Sequence, residues 1–152
     1  MSWVFGPGNV KIKKDLKKKD RRRPITVFVS GCYNRVHRAH ICMLRWARTL
    51  GDRLVIVLTH DAHNRKPNAL PAAQRLRALR ALGLADKVIV GARQDFPAVL
   101  RRERPDIIVL GYDQKMPDAA TESSARRLGV RVVTLPWSPG KEEHHACRSL
   151  LW

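Results

Sequence analysis

Cysteine is scarce. The 152 residues hold three, Cys32, Cys42 and Cys147, with no CxxC spacing. Three cannot all pair, which excludes a disulfide scaffold and points to a reducing compartment, the cytoplasm. His144, His145 and Cys147, taken with Cys32 or Cys42, match no standard zinc-ligand spacing, so no metal site is assigned to the chain itself. Cys32 stands beside an expected helix N-terminus, which favours a thiolate, but no accompanying pattern supports a catalytic cysteine, and Cys42 reads as a helix packing residue. No run of about 18 apolar residues exists, which excludes a membrane-spanning helix and a membrane partner. A lysine tract stands where a signal peptide carries its apolar region, so none is expected. Aromatic residues are only 6%, and no RRM-like stacking motif occurs, which weakens sequence-specific RNA recognition.

Acidic residues are also few. Thirteen Asp and Glu face thirty Lys and Arg, a formal net charge of +17. Residues 1–24 hold nine bases and two acids, so most of the excess lies in the remainder. Such a field favours an anionic partner, nucleic acid or a phosphorylated small molecule, although an arginine-rich surface alone names neither. Residues 1–23 combine Gly6-Pro7-Gly8 with a run of nearly continuous charge and no amphipathic period. They read as a flexible basic arm able to touch RNA non-specifically, ahead of a single domain over 24–152.

From residue 25 the pattern changes. Short apolar runs at 25–29, 54–58, 88–90, 107–110 and 130–135 predict five strands. Helical periodicity at 38–50, from Pro71 through Leu82, at 96–104 and at 119–128 predicts the connecting helices. The strands are continuously apolar rather than alternating. Strands of that kind, alternating with helices, imply an α/β fold: a Rossmann-like parallel five-stranded sheet with helices on both faces. Ligands then bind beyond the carboxyl ends of the strands. There the sequence places Gly31-Cys32-Tyr33-Asn34, Thr59-His60-Asp61 and Gly111-Tyr112-Asp113-Gln114.

His37 and His40 open the first helix and share a face. At a helix N-terminus, free N–H groups and the helix dipole already favour an anion. Two imidazoles there suit phosphoryl or nucleotidyl transfer, where negative charge grows in the transition state. A surface histidine pair or a partial metal site also fits this spacing.

The strand, then Gly31-Cys-Tyr-Asn34 and His37-Arg-Ala-His40, resembles the HIGH-type nucleotidyltransferase superfamily, whose usual forms are Gly-Thr-Phe-Asp and His-x-Gly-His. Arg65-Lys66-Pro67, Pro71-Ala-Ala-Gln74-Arg75 and Pro105-Asp-Ile-Ile-Val-Leu-Gly-Tyr-Asp-Gln114 are similar to further motifs of that superfamily, in the same order. Within it the chain looks most like archaeal FAD synthases, with glycerol-phosphate cytidylyltransferases next.

The resemblance implies adenylyl transfer from ATP to FMN, giving FAD and pyrophosphate. His37 and His40 would hold the triphosphate and stabilise the transition state, with Lys66 on a substrate phosphate. Backbone groups around Gly31, Cys32 and Tyr33 would approach the α-phosphate, and Arg75 would support the loop. Gly111 and Asp113 would border base and ribose. A divalent ion such as Mg²⁺ would ride on the substrate phosphates, and a homodimer is expected on the same ground. The residues leave simpler readings open: Lys66 as a loop lysine, Asp113 as a cap, Asp61 as a turn former.

The chain departs from the pattern in places. Asn34 replaces an aspartate, and Ala39 replaces the central glycine of the histidine motif. Ala146 and Cys147 stand where two hydroxyl residues open the family's last helix, and Arg148 is the expected substitute for phosphate contact. Two other functions are compatible with the sequence: cytidylyl transfer from CTP to a polyol phosphate, and a catalytically degenerate nucleotide- or RNA-binding protein.

Overall fold

The computed structural model describes residues 23–111 and 114–135. The sequence-level readings of residues 1–22, Tyr112, Asp113 and residues 136–152, Arg148 included, lie outside the described residues. Five parallel strands, β1 (Thr26–Gly31), β2 (Arg53–Leu58), β3 (Lys87–Val90), β4 (Ile107–Leu110) and β5 (Arg131–Thr134), form one sheet in the order β3-β2-β1-β4-β5. Four helices connect them: α1 (Arg38–Thr49), α2 (Ala72–Ala81), α3 (Phe96–Glu103) and α4 (Ala119–Arg127). The order reverses direction at β1, whose neighbours are β2 and β4.

Alternate side chains of each central strand serve different layers, and both layers are buried. Val27, Val29, Leu54, Ile56, Ile107 and Val109 pack with Leu44, Ala47 and Leu50 of the α1 segment and Leu79 of α2. Phe28, Val55, Ile108 and Leu110 pack with Val99 and Leu100 of α3 and Ala125 of α4. Burial on both faces is why these strands carry no polar alternation. Each fully buried aliphatic side chain contributes roughly 1.5–3 kcal/mol of transfer free energy.

The amino ends of the strands are fixed by three aspartates, each one residue or less from its own strand. Asp52 accepts the Ile25 N–H at 2.9 Å, Asp106 the Thr26 N–H at 2.8 Å, and Asp86 the Leu54 N–H at 2.8 Å. Arg23 pairs with Asp106 and donates to the Arg104 carbonyl, so the last residue of the expected arm is held by the domain. Gly51 turns the chain into β2 under close approach: a Cβ there would lie 2.7 Å from the Ile25 carbonyl oxygen. Helix α3 stops at Arg104, which takes a left-handed conformation (φ 46°, ψ 62°) just before Pro105. These hydrogen bonds and turns set the sheet so that its carboxyl edge faces one side, and all the predicted site residues that are described lie there.

Candidate active site

The carboxyl end of β1 runs directly into the first part of the site. Gly31 lacks a side chain because the Tyr33 ring occupies its place: a Cβ would lie 2.9 Å from Tyr33 Cε2. Tyr33 itself sits at φ 50°, a conformation uncommon outside glycine. Its ring is buried and lies 4.9 Å, centroid to centroid, from that of His40. Burial pushes the phenol well above its ordinary pKa, so Tyr33 stays neutral at any working pH.

His37 is the N-cap residue of α1 and His40 lies three residues on. Their rings stack, with centroids 3.7 Å apart and planes 17° from parallel. The His37 backbone N–H donates to His40 Nδ1 at 3.4 Å. An accepting Nδ1 leaves the proton of a neutral imidazole on Nε2, so His40 presents an N–H donor from its far side. The first turn of α1 holds no acidic residue, and Arg35 and Arg38 are exposed beside it. The helix end therefore keeps its positive potential for an anion. Ala39 is buried within α1, so its methyl group is absorbed by packing.

The loop between β2 and α2 is braced against this end of β1. Asn34 and Asn64 form a reciprocal amide pair, and Asn34 Oδ1 also accepts the Leu70 N–H at 3.0 Å. Arg75, fully buried, donates to the carbonyl oxygens of Leu70 (2.8 Å), Cys32 (2.9 Å) and Thr59 (2.9 Å), and to Asp61 Oδ1 (2.7 Å). Four of its five N–H groups thus go to protein acceptors, so Arg75 ties strand ends and loop together from beneath the surface. Asp61 Oδ1 also accepts the Ala72 N–H at 2.9 Å, which gives this carboxylate a capping role at α2. Lys66 is exposed on the braced loop, and the Asn34 contacts bring that loop to the histidine motif.

Beyond β4, Gly111 and Gln114 close a small turn. Gln114 Oε1 accepts the Gly111 N–H at 2.8 Å, and its Nε2 donates to the Ser30 carbonyl at 3.3 Å. The turn carrying Gly111 is thereby laced to the end of β1. Alongside opens a cavity of about 530 Å³ between the sheet and helices α3 and α4. Ser30 and Gly31 form part of its rim, while His37 and His40 do not line it.

Asn64, Gln114 and the cavity carry more of the site than the sequence motifs alone indicate. Asn64 stands next to Arg65-Lys66-Pro67, and its pairing with Asn34 has no local sequence signal. Among the described residues, no three His, Cys, Asp or Glu side chains converge on a common point suited to a metal ion. Also among these residues, no helix is long and apolar enough to cross a membrane.

The parallel sheet is of the α/β class, and the family match over most of the chain makes the protein a nucleotidyltransferase. Residues 28–146 match the cytidylyltransferase-like family model, and the chain belongs to that family. It is 38% identical over 117 residues to the FAD synthase of Methanosarcina acetivorans, covering 74% of this chain and 77% of that protein. It is 35% identical over 130 residues to the FAD synthase of Archaeoglobus profundus, covering 82% and 81%. Among solved structures it is similar to the lipopolysaccharide core biosynthesis protein from Thermoplasma volcanium, with TM-score 0.68 and 32% identity over 76% of this chain and 99% of that one. Pantothenate synthetase from Thermus thermophilus shares the fold alone, at TM-score 0.50 and 14% identity.

Proposed function

We propose that the chain transfers the adenylyl group of ATP to FMN, giving FAD and pyrophosphate. The observation that carries this reading is the stacked His37–His40 pair at an acid-free helix N-terminus directly beyond β1. The FAD synthases among its relatives support FMN as acceptor.

In this reading an oxygen of the FMN phosphate attacks the α-phosphorus of ATP. The bond from that phosphorus to the bridging oxygen breaks, and pyrophosphate leaves with the electron pair. His40 donates from Nε2 to an α-phosphate oxygen as charge grows there, and His37 grips the triphosphate beside it. Lys66 neutralises substrate phosphate from the braced loop. The backbone at Gly31, Cys32 and Tyr33 passes close to the α-phosphate, and Arg75 holds that backbone in place. Gly111 and Asp113 border base and ribose, and Arg148 adds a guanidinium fork to the phosphates. A divalent ion such as Mg²⁺, bound to phosphate oxygens and water, would supply further charge neutralisation. Catalysis by the chain is then positioning and electrostatic stabilisation, without a covalent intermediate.

The same reading places the reaction in the cytoplasm and retains a homodimer. It assigns residues 1–23 a non-specific contact to RNA, supported by the nine bases before residue 25.

The test is direct. Purified chain with ATP, FMN and Mg²⁺ is expected to form FAD and pyrophosphate in equal amounts. Product from CTP and glycerol phosphate, with none from ATP and FMN, would replace adenylyl by cytidylyl transfer. Turnover of neither pair, with RNA bound in a salt-dependent way, would favour a degenerate binding protein.

A further inference from the structure

The end of the sheet opposite the histidine pair has no part in the chemistry just described, and it is strongly basic. We infer that this amino edge is a docking surface for the phosphate backbone of single-stranded RNA, acting together with the basic run of residues 1–23. The inference extends the RNA contact proposed for those residues and is independent of the FMN reading.

Every strand brings a base to this edge. In sheet order they are Lys87 and Arg53, the first residues of β3 and β2, Arg23 ahead of β1, Arg104 ahead of β4, and Arg131, the first residue of β5. Neighbouring strands lie about 4.8 Å apart, so the row runs for about 19 Å. Four acids stand at the same edge, Asp52, Asp86, Glu103 and Asp106, and the row alone outnumbers them. Asp52, Asp86 and Asp106 each turn an oxygen inward to a strand N–H. Arg48, Arg80, Arg102 and Arg127, in the last turns of the four helices, add to the excess of bases.

Structural duties account for only part of this charge. A helix C-terminus carries a partial charge of about −0.5, which one arginine per helix offsets. Sheets have only small net dipoles, so the strand starts need no such cation. Arg23 pairs with Asp106 and Lys87 with Glu103, and both bases stay partly exposed. Arg53 and Arg104 are exposed and form no salt bridge among the described residues.

A row of this kind fits a chain of phosphates. All of its members but Lys87 are arginines, whose planar fork suits phosphate oxygens. Arg23 is both a member of the row and the last base of the run that precedes the domain, so the two basic features adjoin. The apolar residues between the bases, Ile25, Leu54 and Pro105, are buried and offer nothing to a lipid layer. Exposed Leu128 and Val132 stand only at the β5 end. No aromatic side chain is exposed at this edge among the described residues, so RNA is held by its backbone, without base stacking or sequence preference. β1 is six residues long, which sets the edge roughly 16–20 Å from the histidine end of the sheet. Docked RNA therefore leaves the substrate site open.

The experiment compares the full chain with two double variants of equal charge change: Arg53→Gln with Arg104→Gln at the edge, and Arg45→Gln with Arg77→Gln on the exposed outer faces of α1 and α2. Binding of a fluorescein-labelled, mixed-sequence 20-nucleotide single-stranded RNA is read by anisotropy across a KCl series. The edge variant is expected to bind about tenfold or more weakly at 0.1 M salt, and its log–log salt slope to flatten by about 1.4, two lost phosphate contacts. Arg53→Lys with Arg104→Lys should keep most of the parent slope, and FAD formation should keep the parent KM for both substrates in every variant. Either single edge variant carries the test if the double does not fold. An equal loss in the Arg45 and Arg77 variant would show diffuse attraction by net charge and overturn the edge assignment. RNA bound with parent affinity by the folded edge variant would also overturn it, while leaving the contact by residues 1–23 intact. A parent chain that binds no RNA would overturn both. Phosphatidylserine vesicles that bind the parent and lose the edge variant, with RNA binding unaffected, would reassign the edge to a membrane surface.

Discussion

Asn34 and Asn64 each donate a side-chain N–H to the other's Oδ1, at 2.9 and 2.7 Å, across thirty residues of sequence. Asn64 is buried, so its oxygen depends on the Asn34 donor. An aspartate at position 34, the residue usual in the resembling motif, would set a carboxylate oxygen against Asn64 Oδ1. The Asn34→Asp variant should lose roughly 1–3 kcal/mol of stability at neutral pH. The loss should shrink on acidification, because protonation restores a donor. Urea titrations of both proteins at neutral and mildly acidic pH test this. Equal midpoints at neutral pH would show that the pair does not brace the loop.

Arg75 offers a harsher perturbation. Arg75→Met keeps the length and apolar character of the stem but removes every donor. The carbonyl oxygens of Leu70, Cys32 and Thr59 then lose their partner in a buried setting. A destabilisation on the order of 3 kcal/mol or more is expected. Arg75→Lys should recover little of it, since one ammonium cannot span acceptors on both strand ends and the loop. A urea midpoint unchanged in Arg75→Met would contradict the bracing role.

The sheet and helices were legible because their signals are local. Five apolar runs mark five strands buried on both faces, and the helical periods at 38–50 and 96–104 match α1 and α3 to within a residue. Strand limits shifted where backbone pairing continues past the apolar run. β1 extends to Gly31 because Ser30 and Gly31 still pair with Val57 and Leu58. The residues of the histidine motif were legible because a helix start and two imidazoles lie within a few positions. The bracing of the 60–70 loop was not, since Arg75 reaches Cys32 across 43 residues and leaves no periodic trace. The cavity was hidden for the same reason: its lining comes from three strands, two helices and the loops beyond the strands, which only the fold brings together.

Acid sensitivity should arise in part at the amino edge of the sheet. Burial alone would raise the Asp86 pKa, but the Leu54 N–H and the Arg48 guanidinium outweigh it, and the carboxyl is held below its usual value. For Glu103 too, the Lys87 ammonium and Arg102 outweigh burial, and the net shift is downward. A pKa depressed in the folded state gives stability that is full above the unfolded value and is lost as pH falls through the folded one. Stability should therefore fall progressively below about pH 4. The Asp86→Asn variant should be less stable than the parent at neutral pH and show a flatter acid limb. Urea midpoints from pH 6 down to pH 2.5 check this, and parallel limbs would rule out a contribution from Asp86.

His40→Ala tests the chemistry. The imidazole is a donor aimed from a helix N-terminus, and removing one such donor should lower kcat by on the order of 10²–10³. ATP KM should change much less, because a contact made mainly in the transition state acts on kcat. The variant also loses the Nδ1 acceptor for the His37 N–H, so stability should fall by about 1 kcal/mol, the scale of a lost helix cap. That loss is too small to unfold a domain whose core lies elsewhere. His37→Ala should raise the ATP KM as well, since His37 grips phosphate in the ground state. Steady-state assays of FAD formation, with circular dichroism as the check on folding, separate these effects. A folded His40→Ala protein turning over at the parent rate would remove the stacked pair from the mechanism.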